Sequence, residues 1–241
     1  MSQFKSVFKR FEKKYMLTEH QYRQLSQKLQ GHMTRDLHGL HTISNIYYDT
    51  PEYDLIRASI EKPVYKEKLR VRSYKTPKAG DTVFVELKKK FDGEVFKRRV
   101  PLSHEEAVRY LHCGDRPQER NQILKEIDWF MAMHRPVPKV FIAYDRLALF
   151  GNEDPELRIT FDSNMRFRES LLDLSKGTWG RPLADQDTIL MEIKIPGAMP
   201  LWLSGILSEL RIYPASFSKY GICYKEHLIY QTNSKGGFIC A

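Results

Sequence analysis

The sequence has little cysteine and no long apolar segment. Its 241 residues include 3 cysteines, Cys113, Cys223 and Cys240, which are odd in number and too far apart for a CxxC motif. We therefore predict a reducing compartment and neither a disulfide framework nor a cysteine zinc site. No apolar run approaches the roughly 20 residues of a membrane-spanning helix, and residues 1–15 lack the apolar core of a secretory signal. We expect a cytoplasmic protein, with any membrane contact made through an unidentified membrane partner.

Glycine and proline are also few. The chain has 13 glycines and 12 prolines, no internal repeat and no linker long enough to separate two domains. This composition excludes collagen-like and low-complexity chains, while 41% hydrophobic and 29% charged residues are typical of a globular protein. A chain of this length can bury a sizeable core. We predict a single domain over residues 1–241.

Acidic residues are fewer than basic residues. The 39 Lys and Arg residues exceed the 30 Asp and Glu residues, and the net charge is +9. An excess of this size predicts an anionic partner and leaves nucleic acid, anionic lipid and phosphate-rich substrates open. The 8 histidines are scattered and show no metal-ligand spacing.

Hydrophobic periodicity predicts an α+β fold. Eight segments are strand-like, and six others have helical spacing or capping signals. Strands joined by hairpins, with helices between them, predict a closed or nearly closed eight-stranded antiparallel β-barrel with helices packed outside. The predicted strands are Phe4–Tyr15, His41–Asp49, Val64–Tyr74, Thr82–Phe91, Glu94–Pro101, Val140–Gly151, Leu157–Arg168 and Thr188–Pro196. The predicted helices are Thr18–Leu29, Tyr53–Ala58, Ser103–Cys113, Asn121–His134, Pro200–Leu210 and Lys219–Gln231.

Charge is concentrated on one face of the predicted strands. In Val64–Tyr74 every second position from Lys66 to Arg72 is basic, and Leu69 and Val71 lie between them. Side chains alternate across a strand, so the two sets lie on opposite faces. The charged faces together carry 15 basic and 4 acidic residues, a net +11, so the rest of the chain is slightly negative. These residues are Arg10, Glu12, Lys14, Lys66, Lys68, Arg70, Arg72, Glu86, Lys88, Lys90, Lys97, Arg99, Arg146, Arg158, Asp162, Arg166, Arg168, Glu192 and Lys194.

Two interpretations fit these faces. They are either the solvated outer faces of an ordinary sheet, or the inner faces of an inverted barrel whose apolar faces pack against external helices. A solvated face normally mixes both signs, because like charges on neighbouring strands repel. One sign dominates on strand after strand here, which favours an interior that holds a polyanion through Arg and Lys hydrogen bonds.

Three glutamates lie on the same faces. Each is two residues away from a lysine, so local ion pairing is one interpretation. The other is that their carboxylate oxygens hold Mg²⁺ or Mn²⁺ against bound phosphates. The pairs are Glu12 with Lys14, Glu86 with Lys88, and Glu192 with Lys194.

Eight motifs follow one another in order over nearly the whole chain. They are FEKKY at 11–15, IYYDTPEYDLIR at 46–57, KLRVRSY at 68–74, VFVELKKK at 83–90, AYDRLALF at 143–150, LRITFDSNM at 157–165, LMEIKIPG at 190–197 and FSKYGICY at 217–224. Together they resemble the VTC domain, the polyphosphate polymerase domain of the triphosphate tunnel metalloenzyme (CYTH-like) superfamily, in its stand-alone bacterial form. Each motif alone is weak, and their order makes the resemblance specific.

The resemblance implies an eight-stranded antiparallel tunnel that transfers the γ-phosphate of ATP to a polyphosphate chain, with Mn²⁺ or Mg²⁺ as cofactor. The implied partners are ATP, triphosphate and polyphosphate. Catalytic roles in holding and neutralising phosphate are implied for Lys14, Arg70, Arg72, Lys88, Arg146, Arg158 and Lys219. Further substrate contacts are expected at Lys68, Lys90, Lys97, Arg99, Lys194 and Ser218, the last beside the amides of a helix start. The implied metal ligand is Glu192, with Glu12 and Glu86 as additional candidates.

The first strand departs from the pattern of the hydrolytic relatives. Those members typically carry ExExK there, whereas this register reads Arg10-Phe11-Glu12-Lys13-Lys14. Arginine in place of the first glutamate removes a metal ligand and adds a phosphate-binding cation, which favours the polymerase branch. The alternatives are a triphosphatase or cyclase on the same fold, and a non-catalytic binder of polyphosphate or inositol phosphate. Nucleic acid is not expected as a partner, because no nucleic-acid motif is present and the charge lies on strands.

Overall fold

The computed structural model describes residues 11–92, 94–118, 121–185 and 187–229. Arg10 and the part of the predicted strand Phe4–Tyr15 that precedes Phe11 lie outside the described residues, as does Gly93 of the hairpin between predicted strands. The end of the predicted helix Lys219–Gln231 also lies outside them.

The described part of the chain contains ten strands. They are β1 (Phe11–Thr18), β2 (Met33–Arg35), β3 (His41–Asp49), β4 (Tyr65–Ser73), β5 (Thr82–Phe91), β6 (Glu94–Ser103), β7 (Val137–Gly151), β8 (Arg158–Arg168), β9 (Arg181–Pro182) and β10 (Thr188–Ile195). All eight predicted strands are found, with ends that differ by a few residues. The short strands β2 and β9 are not predicted, because segments of 3 and 2 residues show no alternation.

The predicted helices are also found, although two of them change type. The α-helices are α1 (Glu19–Lys28), α2 (Asp54–Ile60), α3 (His104–Val108), α4 (Gln122–His134), α5 (Leu201–Glu209) and α6 (Lys219–Cys223). The predicted helix Ser103–Cys113 continues after α3 as a π-helix over Arg109–Cys113, and α6 continues as a π-helix over Tyr224–Leu228. No described helix combines the length and apolar character needed to cross a lipid bilayer.

Capping residues fix where the helices begin. The Thr18 hydroxyl accepts a 3.1 Å hydrogen bond from the backbone N–H of Gln21, and the Gln21 side chain returns to the Thr18 backbone. Ser103 and Glu106 form the same reciprocal arrangement at the start of α3, as the sequence predicts. These caps satisfy backbone N–H groups that the first helical turn leaves without partners.

The strands form a mostly antiparallel sheet, so the predicted α+β class is confirmed. The hydrogen-bonded order is β1-β10-β8-β7-β3-β4-β5-β6, while β2 pairs with β7 and β9 pairs with β8. Among the described residues no pairing joins β6 to β1, so this path of eight strands is open and the word barrel describes it only loosely. Both end strands carry exposed lysines, Lys13 and Lys97, a composition typical of sheet edges.

Contacts divide the chain into two compact units. Among the described residues, the first unit comprises 11–41, 144–165 and 184–217, and the second comprises 42–143, 166–183 and 218–229. Strands β7 and β8 contribute residues to both units. Each unit has its own hydrophobic core, and the two cores are built in the same way.

In the first unit, the core covers one face of β1, β8 and β10. Alternate residues of β10 from Ile189 to Ile195 pack with Tyr15, with Leu25 of α1 and with Leu203 of α5. These side chains are at most 4% exposed. The residues between them point to the opposite face of the same strands.

In the second unit, the core covers one face of β4 and β5. Leu69 and Leu87 are fully buried against Ile127 and Phe130 of α4 and against Ala107 of α3. Burying side chains of this size stabilises the fold by roughly 1.5–3 kcal/mol each. In both units the helices thus cover the apolar face of the strands, which leaves the charged face on the other side.

Candidate functional site

A row of polar side chains crosses the charged face of the second unit. The antiparallel registers place Tyr47 of β3 opposite Arg70 of β4, Arg70 opposite Glu86 of β5, and Glu86 opposite Arg99 of β6. Directly opposed residues project to the same side of a sheet, with Cβ atoms about 5 Å apart. Four consecutive strands of the chain therefore supply one continuous row.

Glu86 is the centre of this row. It is 1% exposed, and four cations lie around its carboxylate. The Glu86 oxygens are 2.7 Å from Arg70 Nη2, 2.8 Å from Lys97 Nζ, 3.4 Å from Arg99 Nε and 3.8 Å from Arg72 Nε. One carboxylate thus faces four positive groups, and the cluster has a net charge of +3.

These cations keep Glu86 ionised. Burial alone raises the pKa of the carboxyl group, but Arg70, Arg72 and Lys97 lower it to about 2. Burial also lowers the pKa of the Lys97 ammonium, an effect that Glu86 opposes. At neutral pH the carboxylate is charged and stabilises neighbouring like charges that would otherwise repel.

Uncharged side chains fix the direction of the arginines. Asn45 accepts a 3.0 Å hydrogen bond from Arg72 Nε through its Oδ1 atom and donates to the Ile142 carbonyl. Arg70 Nη1 lies 3.1 Å from the Tyr47 hydroxyl. Sequence reasoning missed Asn45 and Tyr47 because it followed charge, although both occupy alternate positions of the predicted strand His41–Asp49.

Three lysines form the next row along β4, β5 and β6. Lys68 is opposite Lys88, and Lys88 is opposite Lys97. Lys90 lies one step further along β5, opposite Lys66. Like charges placed opposite each other destabilise a sheet, so this arrangement favours an anion between or above the ammonium groups.

The predicted pair Ser218 and Lys219 stands at the start of α6. The Ser218 hydroxyl accepts from the backbone N–H of Gly221 at 3.2 Å and lies 3.4 Å from Lys68 Nζ. The sequence predicts that backbone amides at this helix start bind an anion, but the amide of Gly221 already donates to Ser218. The next residue, Tyr220, is buried and donates a 2.8 Å hydrogen bond to Asp49 at the end of β3.

The charged face of the first unit has a different balance. Lys14 of β1 is opposite Glu192 of β10, which is opposite Thr160 of β8. The neighbouring row contains Glu12, Lys194 and Arg158 in the same order of strands. This face therefore alternates basic, acidic and neutral groups, whereas that of the second unit is strongly positive.

Glu192 lies among three cations of this face. Its carboxylate is 3.6 Å from Lys14 Nζ, 3.6 Å from Lys194 Nζ and 3.8 Å from Arg146 Nη2. Arg146 also forms a bidentate pair with buried Asp162, at 2.6 and 2.7 Å. Such a forked pair holds the guanidinium plane in one orientation.

The carboxylates Glu12 and Glu192 are the donors that suit a divalent cation. Both lie within 3.7 Å of Lys14 Nζ, at 3.7 and 3.6 Å. The described residues contain no group of three or more His, Cys, Asp or Glu side chains spaced to hold a metal ion. Mg²⁺ commonly takes one or two carboxylates and completes its shell with water and substrate phosphates, and this donor set fits that mode. Glu86 fits it less well, because Arg70 and Lys97 already contact its oxygens at 2.7 and 2.8 Å, whereas the cations around Glu192 lie 3.6–3.8 Å away.

The remaining arginines of the charged strands have different surroundings. Arg158 lies 3.8 Å from Asp36 and stacks over the Phe150 ring. Arg168 donates to several carbonyl oxygens of the loop before β9, among them Gly177 at 3.0 Å and Trp179 at 2.9 Å. Arg168 thus stabilises the conformation of this loop. Strand alternation alone does not predict these contacts.

A separate cavity of about 100 Å³ lies in the second unit, and His104, His112 and Asp173 contribute to its lining. Ile46 and Val71, which belong to the apolar face of their strands, also line it. The cavity is therefore on the helix side of the sheet and does not coincide with the row around Glu86.

Comparison with known proteins identifies a family and a fold that this chain shares. The family model described as VTC domain matches residues 9–227. No curated protein matches the chain significantly in sequence.

Among solved structures, a "putative adenylate cyclase" from Bacillus halodurans has 13% identity and a TM-score of 0.55, over 86% of this chain and 92% of that one. A "putative adenylyl cyclase" from Hippeastrum, described with a dominant triphosphatase activity, has 16% identity and a TM-score of 0.53, over 89% and 94%. At these identities the structures show a shared fold.

Proposed function

The chain belongs to the VTC domain family, and we propose that it binds ATP and polyphosphate and transfers the γ-phosphate of ATP to a polyphosphate chain. The observation that carries this proposal is the cluster around Glu86, where four cations share one buried carboxylate. A net charge of +3 on a structured sheet face calls for a ligand with several negative charges. A chain of phosphates supplies them at regular spacing.

The second unit supplies groups for holding such a chain. Arg70, Arg72 and Arg99 offer guanidinium forks, which match the oxygens of phosphate in a bidentate way. The rows of Lys68, Lys88, Lys90 and Lys97 add ammonium groups, and Lys219 adds one at the start of α6. Because the Tyr47, Asn45 and Glu86 contacts fix the arginines before a ligand arrives, binding loses little side-chain entropy.

The charged face of the first unit, taken by itself, has groups suited to the chemistry at a reacting phosphate. Phosphoryl transfer needs in-line positioning and neutralisation of charge on the transferring oxygens. Lys14, Lys194 and Arg146 lie together around Glu192, and Arg158 follows on β8. An ionised phosphate acceptor needs no general base, so the reaction does not depend on histidine.

Glu192, with Glu12 beside it, would hold Mn²⁺ or Mg²⁺. When bound there, the cation would neutralise charge on phosphoryl oxygens and so assist the leaving of the nucleoside diphosphate. Lys14 lies close to both carboxylates and shares their charge in the absence of the metal.

Triphosphate hydrolysis is the second candidate function. It is favoured by the pair of carboxylates, Glu12 and Glu192, which lie next to the same lysine on adjacent strands. With water in place of a phosphate acceptor, the same cations would serve hydrolysis. A non-catalytic binder of polyphosphate would use the same residues without turnover.

Product analysis separates these functions. The purified protein is incubated with ATP and Mn²⁺, and the products are resolved on a polyacrylamide gel stained for polyphosphate. We expect long polyphosphate; free phosphate without polymer would indicate a triphosphatase, and binding without turnover would indicate a binding module.

Two variants test the site in the same assay. Arg70→Ala should abolish activity, because it removes the closest cation from Glu86. Arg23→Ala is the matched control, since Arg23 pairs only with Glu19 on the exposed side of α1 among its described contacts. Thermal unfolding of both variants establishes that they are folded. A folded Arg70→Ala variant with wild-type activity would refute the assignment.

A further inference from the structure

Thr160 lies on the charged face of the first unit, although it carries no charge. It is directly opposite Glu192, and Glu192 is directly opposite Lys14. On β8 it stands between Arg158 and Asp162, which share its face. Its chain neighbours Ile159 and Phe161 point the other way, into the hydrophobic core. Thr160 is therefore the neutral member of a row of otherwise charged residues.

The Thr160 hydroxyl is buried without a hydrogen-bond partner. The residue is 1% exposed, and Oγ1 finds no acceptor or donor among the described residues. An unsatisfied buried hydroxyl costs stability, since it has lost its water and gained nothing in return. Valine has nearly the same shape and would avoid this cost. A hydroxyl at this point is thus unfavourable for the empty protein.

A second donor two residues away is in the same condition. Arg158 Nε is buried and has no hydrogen-bond partner among the described residues, while its Nη2 atom is 3.8 Å from Asp36. Positions i and i+2 of a strand are neighbours on one face. Two unsatisfied donors, an O–H and an N–H, therefore occur together beside Glu192 and Lys194.

The chemistry of the two donors selects the ligand. An O–H and a guanidinium N–H side by side both seek an acceptor, and a negatively charged one satisfies them best. Lys194 lies directly opposite Arg158, and Lys14 lies in the row of Thr160 on the far side of Glu192. These two cations favour an anion at the same face. Positions i and i+2 are about 6.6 Å apart along a strand, and a chain of phosphoryl groups presents oxygen acceptors over that length.

We propose that Thr160 is a substrate-binding residue whose hydroxyl donates to a phosphoryl oxygen, with Arg158 Nε donating beside it. The inference deepens the proposed function and rests on it, because it requires a phosphate chain at this face. The unsatisfied hydroxyl lowers the stability of the protein without ligand, and it gains its hydrogen bond only when the ligand is bound.

Three variants test this role. Thr160→Val removes the hydroxyl and keeps the shape, whereas Thr160→Ser keeps the hydroxyl and loses a methyl group. Ser44→Ala is the matched control, because Ser44 is also 1% exposed with an unsatisfied hydroxyl. Ser44 precedes Asn45 on β3 and so lies on the opposite face from the row around Glu86.

The measurements are thermal unfolding without ligand and calorimetric affinity for tripolyphosphate, both without metal. We expect Thr160→Val to unfold at or above the wild-type temperature and to bind tripolyphosphate about tenfold more weakly, as for loss of a hydrogen bond to a charged group. Thr160→Ser should restore most of the affinity, and Ser44→Ala should leave it unchanged. A purely structural hydroxyl would instead lower the unfolding temperature of Thr160→Val.

The outcomes separate this inference from the proposed function. If wild-type protein binds tripolyphosphate and Thr160→Val binds it equally well, the role of Thr160 is refuted while phosphate binding stands. If wild-type protein does not bind tripolyphosphate, the proposed function itself fails, and the inference fails with it.

Discussion

Replacing Glu86 with glutamine tests the electrostatic account of the second unit. The substitution keeps the shape and removes the one negative charge among Arg70, Arg72, Lys97 and Arg99. Because the pKa of Glu86 falls from an ordinary 4.5 to about 2 in the folded protein, its ionised form stabilises the fold by about 3 kcal/mol at neutral pH, at 1.36 kcal/mol per pKa unit. Glu86 is 1% exposed, so solvent screening does not reduce this figure much.

The sign of the pH dependence follows from the lowered pKa. The contribution of Glu86 is complete above the pKa of the unfolded chain, near 4.5, and is lost as the pH falls toward 2. Urea unfolding of wild-type protein and Glu86→Gln, measured from pH 7 to pH 3, should therefore show a difference of about 3 kcal/mol that shrinks below pH 4.5.

A control substitution shows whether removing any negative charge lowers the stability to the same extent. Glu19→Gln breaks the exposed pair with Arg23 on α1, and we expect a change of about 0.5 kcal/mol or less. The reasoning is refuted if Glu86→Gln is no less stable than Glu19→Gln at pH 7. It is also refuted if the difference between wild type and Glu86→Gln does not change with pH.

Four further outcomes are expected. Tyr220→Phe removes the hydroxyl that donates to buried Asp49 and should lower the free energy of unfolding by about 1–2 kcal/mol in a urea titration. Leu87→Ala leaves a cavity under α4 and should cost about 2–5 kcal/mol in the same measurement. In Mn²⁺ titrations with tripolyphosphate followed by electron paramagnetic resonance, Glu192→Gln should weaken metal binding, whereas Glu86→Gln should not. Raising the salt concentration should weaken tripolyphosphate binding measured by calorimetry, because screening reduces the attraction of partly exposed lysines.

Much of the second unit was open to prediction because its signals are local. Alternation finds β4, β5 and β6, and Ser103 with Glu106 marks the start of α3. The hairpin at Asp92 even fixes a register: with Phe91 opposite Glu94, Glu86 falls opposite Arg99. The sequence therefore allows the β6 side of the Glu86 cluster, Arg99 and Lys97, to be predicted.

The other half depends on contacts that no local pattern encodes. The loop between β4 and β5 is too long to determine how the two strands pair. That Arg70 lies opposite Glu86 is therefore known only from the structure. Glu86 is a predicted metal ligand because it shares a strand face with Lys88, and that pattern does not reveal the four cations that neighbouring strands bring to its carboxylate. Thr160 was missed because a single neutral residue in a charged row gives no signal until its burial is known.

The first unit was harder to predict because its neighbouring strands are far apart in sequence. Lys14 of β1 lies opposite Glu192 of β10. Neither segment contains a local signal that predicts this pairing. The family resemblance supplied Glu192 and Lys14 as site residues. The resemblance also named Arg146, and the structure adds that its Nη2 atom lies 3.8 Å from Glu192 and that buried Asp162 holds its guanidinium group through two hydrogen bonds.

Calorimetric titration of tripolyphosphate tests the central claim most directly, which is that the charged face around Glu86 holds a chain of phosphates. The wild-type protein and Arg23→Ala should bind with equal affinity, and Arg70→Ala should bind at least tenfold more weakly, as expected when a charge-assisted hydrogen bond is lost. Absence of saturable binding to the wild-type protein, or equal affinity for folded Arg70→Ala, would contradict the account.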